Sequence, residues 1–319
     1  MHIVILGAGA LGTVLGAHLA RTGEDVTLIA RGQRAAYLQE HGATITGLVD
    51  FTVPVRVVTD SSQVHEADVL IVTVKTYDMA SALQSVTHLD VESVVSIQNG
   101  VLKNEQLAQT FGWAKVLGAM AAFSAEVLPT GKVRFTINQG CYLGELPEGI
   151  SERVQTLATT LERANIVAKV TLSMQSVEWS KYVMFVGAMP LAVLTRLETY
   201  KFLQEQHTAS IEASLLHEMA QIATTRGIVL EDVAFFPAKT LSQLSLADTV
   251  AHLRHQGEQW ASQTSTHKLS TLQDLEQGKR LEVEETLGYA VRQGVELGVP
   301  TPTMDTCYHL IAGINHYLQ

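Results

Sequence analysis

The first twelve residues limit what this chain can become. Residues 2–6 are an apolar, β-branched run with no turn residue, which predicts a buried parallel strand. Gly7, Gly9 and Gly12 follow in the spacing G-x-G-x-x-G, with Ala10 and Leu11 inside the motif, and residues 13–21 carry apolar positions at helical spacing. Strand, glycine turn and helix in that order are the setting a dinucleotide fingerprint requires. Gly7 permits the tight turn, Gly9 lets the backbone approach a pyrophosphate, and Gly12 lets the helix pack closely on the strand. The helix N-terminus offers N–H groups and a partial positive charge to the phosphates. Gly7, Gly9, Ala10, Leu11 and Gly12 are therefore the expected cofactor-binding loop.

The end of the second predicted strand, residues 25–30, bears on which cofactor. Sites that prefer NAD place an Asp or Glu there, about 20 residues past the glycines, to bind the ribose 2′-hydroxyl. Here the strand runs into Arg31-Gly32-Gln33-Arg34. A carboxylate repels a 2′-phosphate, whereas a guanidinium pairs with it in a fork geometry. Arg31 at that position favours NADP(H).

Length and charge narrow the class further. At 319 residues the chain exceeds one typical core, so two domains are expected. A net charge of −10 argues against nucleic acid and against anionic membranes, which both select basic faces. Cys141 and Cys307 are the only cysteines, which excludes a disulfide framework and points to a reducing, cytoplasmic setting. The opening apolar run reads as the first strand and not as a signal peptide. The longest uncharged apolar run, residues 182–194, is shorter than a bilayer span and reads as a buried helix.

The pattern then alternates. Residues 37–58 suggest a hairpin excursion. Residues 68–75 (DVLIVTVK), 93–97, 115–119, 132–137 and 141–144 read as further strands. Strands interleaved with helices predict an α/β Rossmann-type doubly wound, parallel sheet. Ligands of such sheets bind outside the carboxyl ends of the strands, where Lys75 and Asn99 fall. After residue 172 the periodicity becomes helical, at 174–196, 204–226, 241–256, 282–297 and 303–318. Pro190 is expected to kink or split the first of these. The expected division is residues 1–172 for cofactor binding and an all-helical C-terminal domain, residues 173–319, for substrate. The sequence carries no HExxH motif and no Cys/His cluster, so no metal is expected.

These residues carry a resemblance. GAGALG at residues 7–12, VTVK ending at Lys75, QNG at 98–100, EWSK at 178–181 and STLQDLEQGKRLEVE at 270–284 resemble the ketopantoate reductase (2-dehydropantoate 2-reductase) family over most of the chain. The resemblance implies NADPH-dependent reduction of a 2-oxo acid to a 2-hydroxy acid, as in pantothenate biosynthesis. It implies Lys181 as the catalytic lysine and Glu282 as the glutamate at the substrate hydroxyl. It places Asn99 at the nicotinamide and substrate, Lys75 on the cofactor side and Ser270 at the substrate carboxylate. Arg31 falls on the family's arginine at the end of the second strand. The partner implied is a small 2-oxo acid; a homodimer is one assembly it allows, and the sequence leaves the oligomeric state open.

The types suit the chemistry. Hydride arriving at a ketone carbon leaves charge on oxygen, which an ammonium stabilises and protonates. The apolar neighbours Val183, Met184 and Phe185 are expected to desolvate Lys181. Two positions depart from the family pattern. Phe185 and Met189 stand where family members carry asparagines, four and eight residues after the lysine, and Thr286-Leu287-Gly288 replaces ING. An apolar side chain cannot replace an amide's hydrogen bonds to a hydroxylated substrate. Three readings remain open: a ketopantoate reductase, a relative acting on a more apolar 2-oxo acid or ketone, and an NADP(H)-sensing regulator without turnover.

Overall fold

The computed structural model describes residues 1–318. The chain forms two compact units, one of residues 1–98 with 103–175, the other of residues 99–102 with the chain from 176 onward. The helical unit thus begins slightly later than the sequence pattern suggests, and it takes four residues from the middle of the sheet region.

In the first unit the strands are β1 (His2–Leu6), β2 (Asp25–Ile29), β3 (Ala43–Gly47), β4 (Phe51–Val53) and β5 (Arg56–Val58). They continue with β6 (Glu66–Val72), β7 (Asp90–Ser96), β8 (Val116–Val127), β9 (Val133–Glu145) and β10 (Ala168–Val170). All ten join one sheet, ordered β4-β3-β9-β8-β7-β6-β1-β2-β5, with β10 also on β9. From β5 through β8 every pairing is parallel. That stretch has the doubly wound order of a dinucleotide-binding sheet, with its switch point between β1 and β6.

Helices cover both faces because β1 is apolar on both. Ile3 and Ile5 join one core with α1 (Ala10–Arg21) and α5 (Glu152–Arg163). Val4 and Leu6 join another with α3 (Met79–Gln84) and α4 (Leu102–Phe111).

The sheet departs from the expected all-parallel form at one side. β8 and β9 are antiparallel, and so are β3 and β4. β9 also merges the two strands expected at 132–137 and 141–144, running through Gly140 at φ +147° with register irregularities against β8. A glycine inside a strand marks a bulge as readily as a turn, and here it is not a turn. A helix, α2 (Gly32–His41), occupies the start of the expected hairpin excursion, and the hairpin itself is β3–β4. β6 stops at Val72, so Lys75 lies three residues beyond the strand as the N-cap of a 3-10 turn.

The second unit is built on α6 (Met174–Thr195), α7 (Thr199–Gln204), α8 (Gln206–Thr225), α9 (Ala238–Gln243) and α10 (Leu246–Gln263). α11 (Ser270–Glu276), α12 (Leu287–Leu297) and α13 (Pro302–His316) complete it. α6 is not split at Pro190. Val186, Met189 and Leu191 on both sides of the ring lie in one apolar core, which outweighs the hydrogen bond lost there. α6 is long and apolar enough to cross a membrane by length and composition, but most of it is buried in this unit.

The helix expected at 204–226 is α8, except that Gln204 ends α7. The Glu205 carboxylate caps α8 by accepting from the N–H groups of His207 and Thr208 at 2.8 and 2.9 Å. The segment 241–256 is divided between α9 and α10, where the Ser245 hydroxyl accepts from Asp248 N. A two-stranded hairpin of β11 (Asp232–Val233) and β12 (Phe236–Pro237) interrupts the helices. The helix expected over 282–297 begins only at Leu287, which leaves Glu282 in the preceding loop.

Candidate functional site

The glycine loop of the first unit is shaped by two close approaches. Gly7 has φ +106°, and a Cβ there would lie 2.9 Å from the Val74 backbone nitrogen. A Cβ on Gly12 would fall 2.1 Å from the Gly7 carbonyl oxygen, so the turn and the helix demand glycine at both places. A Cβ on Gly9 would meet nothing within 4 Å. Space is therefore open on the one glycine expected to face a pyrophosphate. Gly9 is the N-cap of α1, makes no side-chain cap bond, and no acid lies in the first turn. The amides of Ala10, Leu11 and Gly12 thus begin a helix whose positive end carries no carboxylate of its own. These features fit a dinucleotide phosphate.

The two arginines after β2 have different work. Arg34 is turned onto the loop. Its Nε donates to Ala8 O at 2.9 Å, its Nη2 to Thr13 Oγ1 at 2.8 Å and its Nη1 to Gly131 O at 2.5 Å. Thr13 Oγ1 also donates to Ala8 O at 3.0 Å. Arg34 therefore braces the glycine loop, a role its sequence position did not announce. Arg31 is exposed, is the N-cap of α2, and is followed by a first turn without acid. Its guanidinium is thus not used in bracing the glycine loop.

Asn99, Lys181, Glu282 and Ser270 all belong to the helical unit. Asn99 is half-buried in the short segment that groups there. Its neighbour Gly100 has φ +79°, and a Cβ there would lie 3.4 Å from Glu285 O and 3.9 Å from the Tyr182 ring. Val101 is buried in the helical core. The segment is thus packed against the loop that carries Glu282.

Lys181 is half-buried on α6, and each residue beside it is anchored. Ser180 Oγ accepts from Glu231 N at 2.8 Å and donates to Ser176 O at 2.7 Å. Tyr182 is fully enclosed, and its hydroxyl donates to Thr286 O at 2.6 Å. Burial raises its pKa well above the ordinary phenol value, so it remains a donor. Thr286 Oγ1 in turn donates to Glu282 O. The helix of Lys181 and the loop of Glu282 are therefore linked through Tyr182 and Thr286. Glu282 is 5% exposed. Ser270 takes no part in this chain and lies exposed in the first turn of α11.

The accessible side of α6 is narrow. Lys181 and Ala188 are half-buried, and Met184 and Phe185 keep 8% and 7% exposure. Lys181, Met184, Phe185 and Ala188 follow the i, i+3, i+4, i+7 pattern of one helical stripe. Met189 is completely enclosed in the core. Of the two positions that depart from the family pattern, only Phe185 therefore lies on the lysine's stripe. At 3.6 residues per turn, a step of eight has rotated by about 80°, whereas a step of seven returns to within about 20°. Met184 and Ala188 are the stripe members the spacing argument missed.

Among the described residues no cluster of metal-ligating side chains occurs.

Two sequence profiles match the chain. One described as "Ketopantoate reductase PanE/ApbA" covers residues 3–148, and one described as "Ketopantoate reductase PanE/ApbA C terminal" covers residues 173–315. The 2-dehydropantoate 2-reductase of Archaeoglobus fulgidus is 28% identical over 313 residues, covering 98% of this chain and 97% of that protein. The crystal structure of a PanE/ApbA family ketopantoate reductase from Ralstonia eutropha JMP134 superposes with a TM-score of 0.85 at 25% identity, covering 100% of both chains. D-mandelate dehydrogenase, solved with NADH and anilino(oxo)acetate, shares the fold with a TM-score of 0.85 at 20% identity, over 100% of this chain and 99% of that one.

Proposed function

The chain belongs to the ketopantoate reductase family and is an oxidoreductase of that family, and from this premise we propose that it reduces a 2-oxo acid to the 2-hydroxy acid with NADPH. The reaction its curated relatives are named for, 2-dehydropantoate to pantoate, is the first candidate. The observation that carries the reading is the grouping of Asn99, Lys181 and Glu282 in one unit, with α6 joined to the Glu282 loop through Tyr182 and Thr286.

The nicotinamide, when bound, supplies a hydride to the keto carbon. The remaining chemistry belongs to side chains. The Lys181 ammonium offsets the charge that develops on the substrate oxygen and gives it a proton from Nζ. Its anchored neighbours hold Nζ in one place during that transfer. Glu282 accepts a hydrogen bond from the new hydroxyl and orients the substrate. Ser270 binds the substrate carboxylate, and Asn99 holds the carboxamide end of the cofactor beside it. Lys75 lies on the cofactor side. The loop from Gly7 to Gly12 binds the pyrophosphate, and Arg31 pairs with the 2′-phosphate, which distinguishes NADPH from NADH. The sequence's two cysteines, Cys141 and Cys307, both buried, support a cytoplasmic setting.

Phe185 on the same stripe of α6 as Lys181 favours a second reading, in which the preferred substrate is a branched aliphatic 2-oxo acid without the 4-hydroxyl of ketopantoate. NADPH oxidation with a panel of 2-oxo acids, ketopantoate included, tests both. Turnover of none of them, or equal turnover in Lys181→Ala, overturns the proposed function.

A further inference from the structure

Lys103 is a buried cation in the first turn of a helix. It is the second residue of α4 and 4% exposed. A lysine there opposes the helix macrodipole, and a buried ammonium persists only where its protons find acceptors. Its Nζ donates to Gln98 O at 3.1 Å and to Ala119 O at 2.7 Å. Gln98 is itself tied down. Its Nε2 donates to Val74 O at 2.6 Å, and its Oε1 accepts from Ser96 Oγ at 3.1 Å.

These bonds link the carboxyl ends of β6 and β7 to the early part of the neighbouring strand β8. Val74 follows β6, Gln98 follows β7 and Ala119 lies in β8. Gln98 joins the first to the second, and Lys103 joins the second to the third. Val74 is also the residue that closes on Gly7. The lacing therefore starts beside the glycine loop and passes through the backbone from which Asn99 departs. Residues 99–102, lying between the two laced points, are the segment that groups with the helical unit. The bond from Lys103 Nζ to Gln98 O closes the neck of that segment. Lysine suits the task because it brings three donors on a long stem, enough to reach carbonyls on adjacent strands at once. Nothing in the sequence motif marks it, since it follows the QNG stretch by three residues.

We propose that Lys103 is a positioning residue for the nicotinamide end of the cofactor site. It fixes the Gln98 carbonyl and, through the next peptide, the place of Asn99. The inference rests on the reading of Asn99 given above. A residue that only stabilises the sheet unit would affect all cofactor contacts alike. A residue that acts through Asn99 affects the nicotinamide half alone.

The experiment measures dissociation constants of NADPH and of 2′-phospho-ADP-ribose, which lacks the nicotinamide, for wild type, Lys103→Met, Asn99→Ala and the double variant. Lys103→Met is expected to weaken NADPH by roughly tenfold or more, the loss of charge-assisted hydrogen bonds, and to leave the fragment within about twofold. The double variant is expected to bind NADPH about as well as Asn99→Ala alone, because contacting residues on one path are not additive. Lys103→Gln, which keeps donors on a shorter stem, is the second variant if the methionine form does not fold, and it is expected to show the same selective loss. Equal weakening of NADPH and fragment, no weakening of either, or multiplying effects in the double variant overturns the proposal. If Asn99→Ala itself leaves NADPH binding unchanged, the reading of Asn99 falls and the proposal with it. If Asn99→Ala weakens NADPH and the Lys103 variants do not, the proposal alone is overturned.

Discussion

Replacing Glu212 by glutamine will change how stability depends on pH. Glu212 lies on α8, is 1% exposed, and its Oε2 has no hydrogen-bond partner. Its stem packs against α6 at Gly187, where a Cβ would lie 3.6 Å from Glu212 Cγ, and Ala209 and Leu216 are in the same core. Burial pushes its carboxyl from 4.5 up to about 8. The folded protein therefore keeps this proton at neutral pH, whereas the unfolded chain loses it above 4.5. Between those values the unfolded state binds one proton fewer. Stability is full below 4.5, falls by about 1.4 kcal/mol per pH unit as pH rises, and levels off above about 8. Over the whole interval the loss is bounded by about 5 kcal/mol, on the order of 3.5 units times 1.36 kcal/mol.

Glutamine keeps the shape and cannot ionise. Urea unfolding followed by tryptophan fluorescence, with Trp179 and Trp260 in the helical unit, is the assay. The stability of Glu212→Gln minus that of wild type is expected to grow by roughly 2–3 kcal/mol between about pH 5.5 and 7.5. His18 and His267, whose pKa values are lowered by burial, titrate in both proteins and cancel in the difference. Parallel stability curves for the two proteins would refute the assignment of a neutral, buried acid.

Three further outcomes are expected. Arg31→Ala will lose at least tenfold in NADPH affinity and little in NADH affinity, since a guanidinium–phosphate pair contributes roughly 1.5–3 kcal/mol, and fluorescence titration of both cofactors measures it. Lys181→Ala will lower kcat by roughly two to four orders of magnitude, as expected for a positioned acid, with NADPH affinity nearly intact in the same titration. Phe185→Asn will shift the ratio of kcat/KM toward ketopantoate over its des-hydroxy analogue by about one to two decades, whereas Met189→Asn, which places an amide in a sealed core, will chiefly lower the melting temperature.

The nucleotide loop and the helical character of the second unit were legible in the sequence because both rest on local rules. The loop needs glycines at Gly7 and Gly12 wherever a strand turns tightly into a helix, and the close approaches to Val74 and to the Gly7 carbonyl show why. α6 was legible nearly to the residue, since an apolar run of that length can only be buried. The antiparallel strands were not, because strand direction depends on which partner a strand finds, and residues 133–145 look the same in either direction.

The rest was decided by residues brought together across long separations. Arg31 and Arg34 are equivalent as letters. Only the folded chain, with Ala8, Thr13 and Gly131 around Arg34, gives one of them to the loop and leaves the other exposed. Phe185 and Met189 share a simple spacing from Lys181, yet helical drift leaves one on the lysine's stripe with 7% exposure and seals the other completely. Lys103 reads as a surface lysine until three neighbouring strands and their exits supply its acceptors and that of Gln98. Composition and periodicity determine which segments must be buried and which turns need glycine, because those are properties of neighbouring residues. The partner of a buried charge is set by packing between distant segments, and that is why only the tertiary structure decided it.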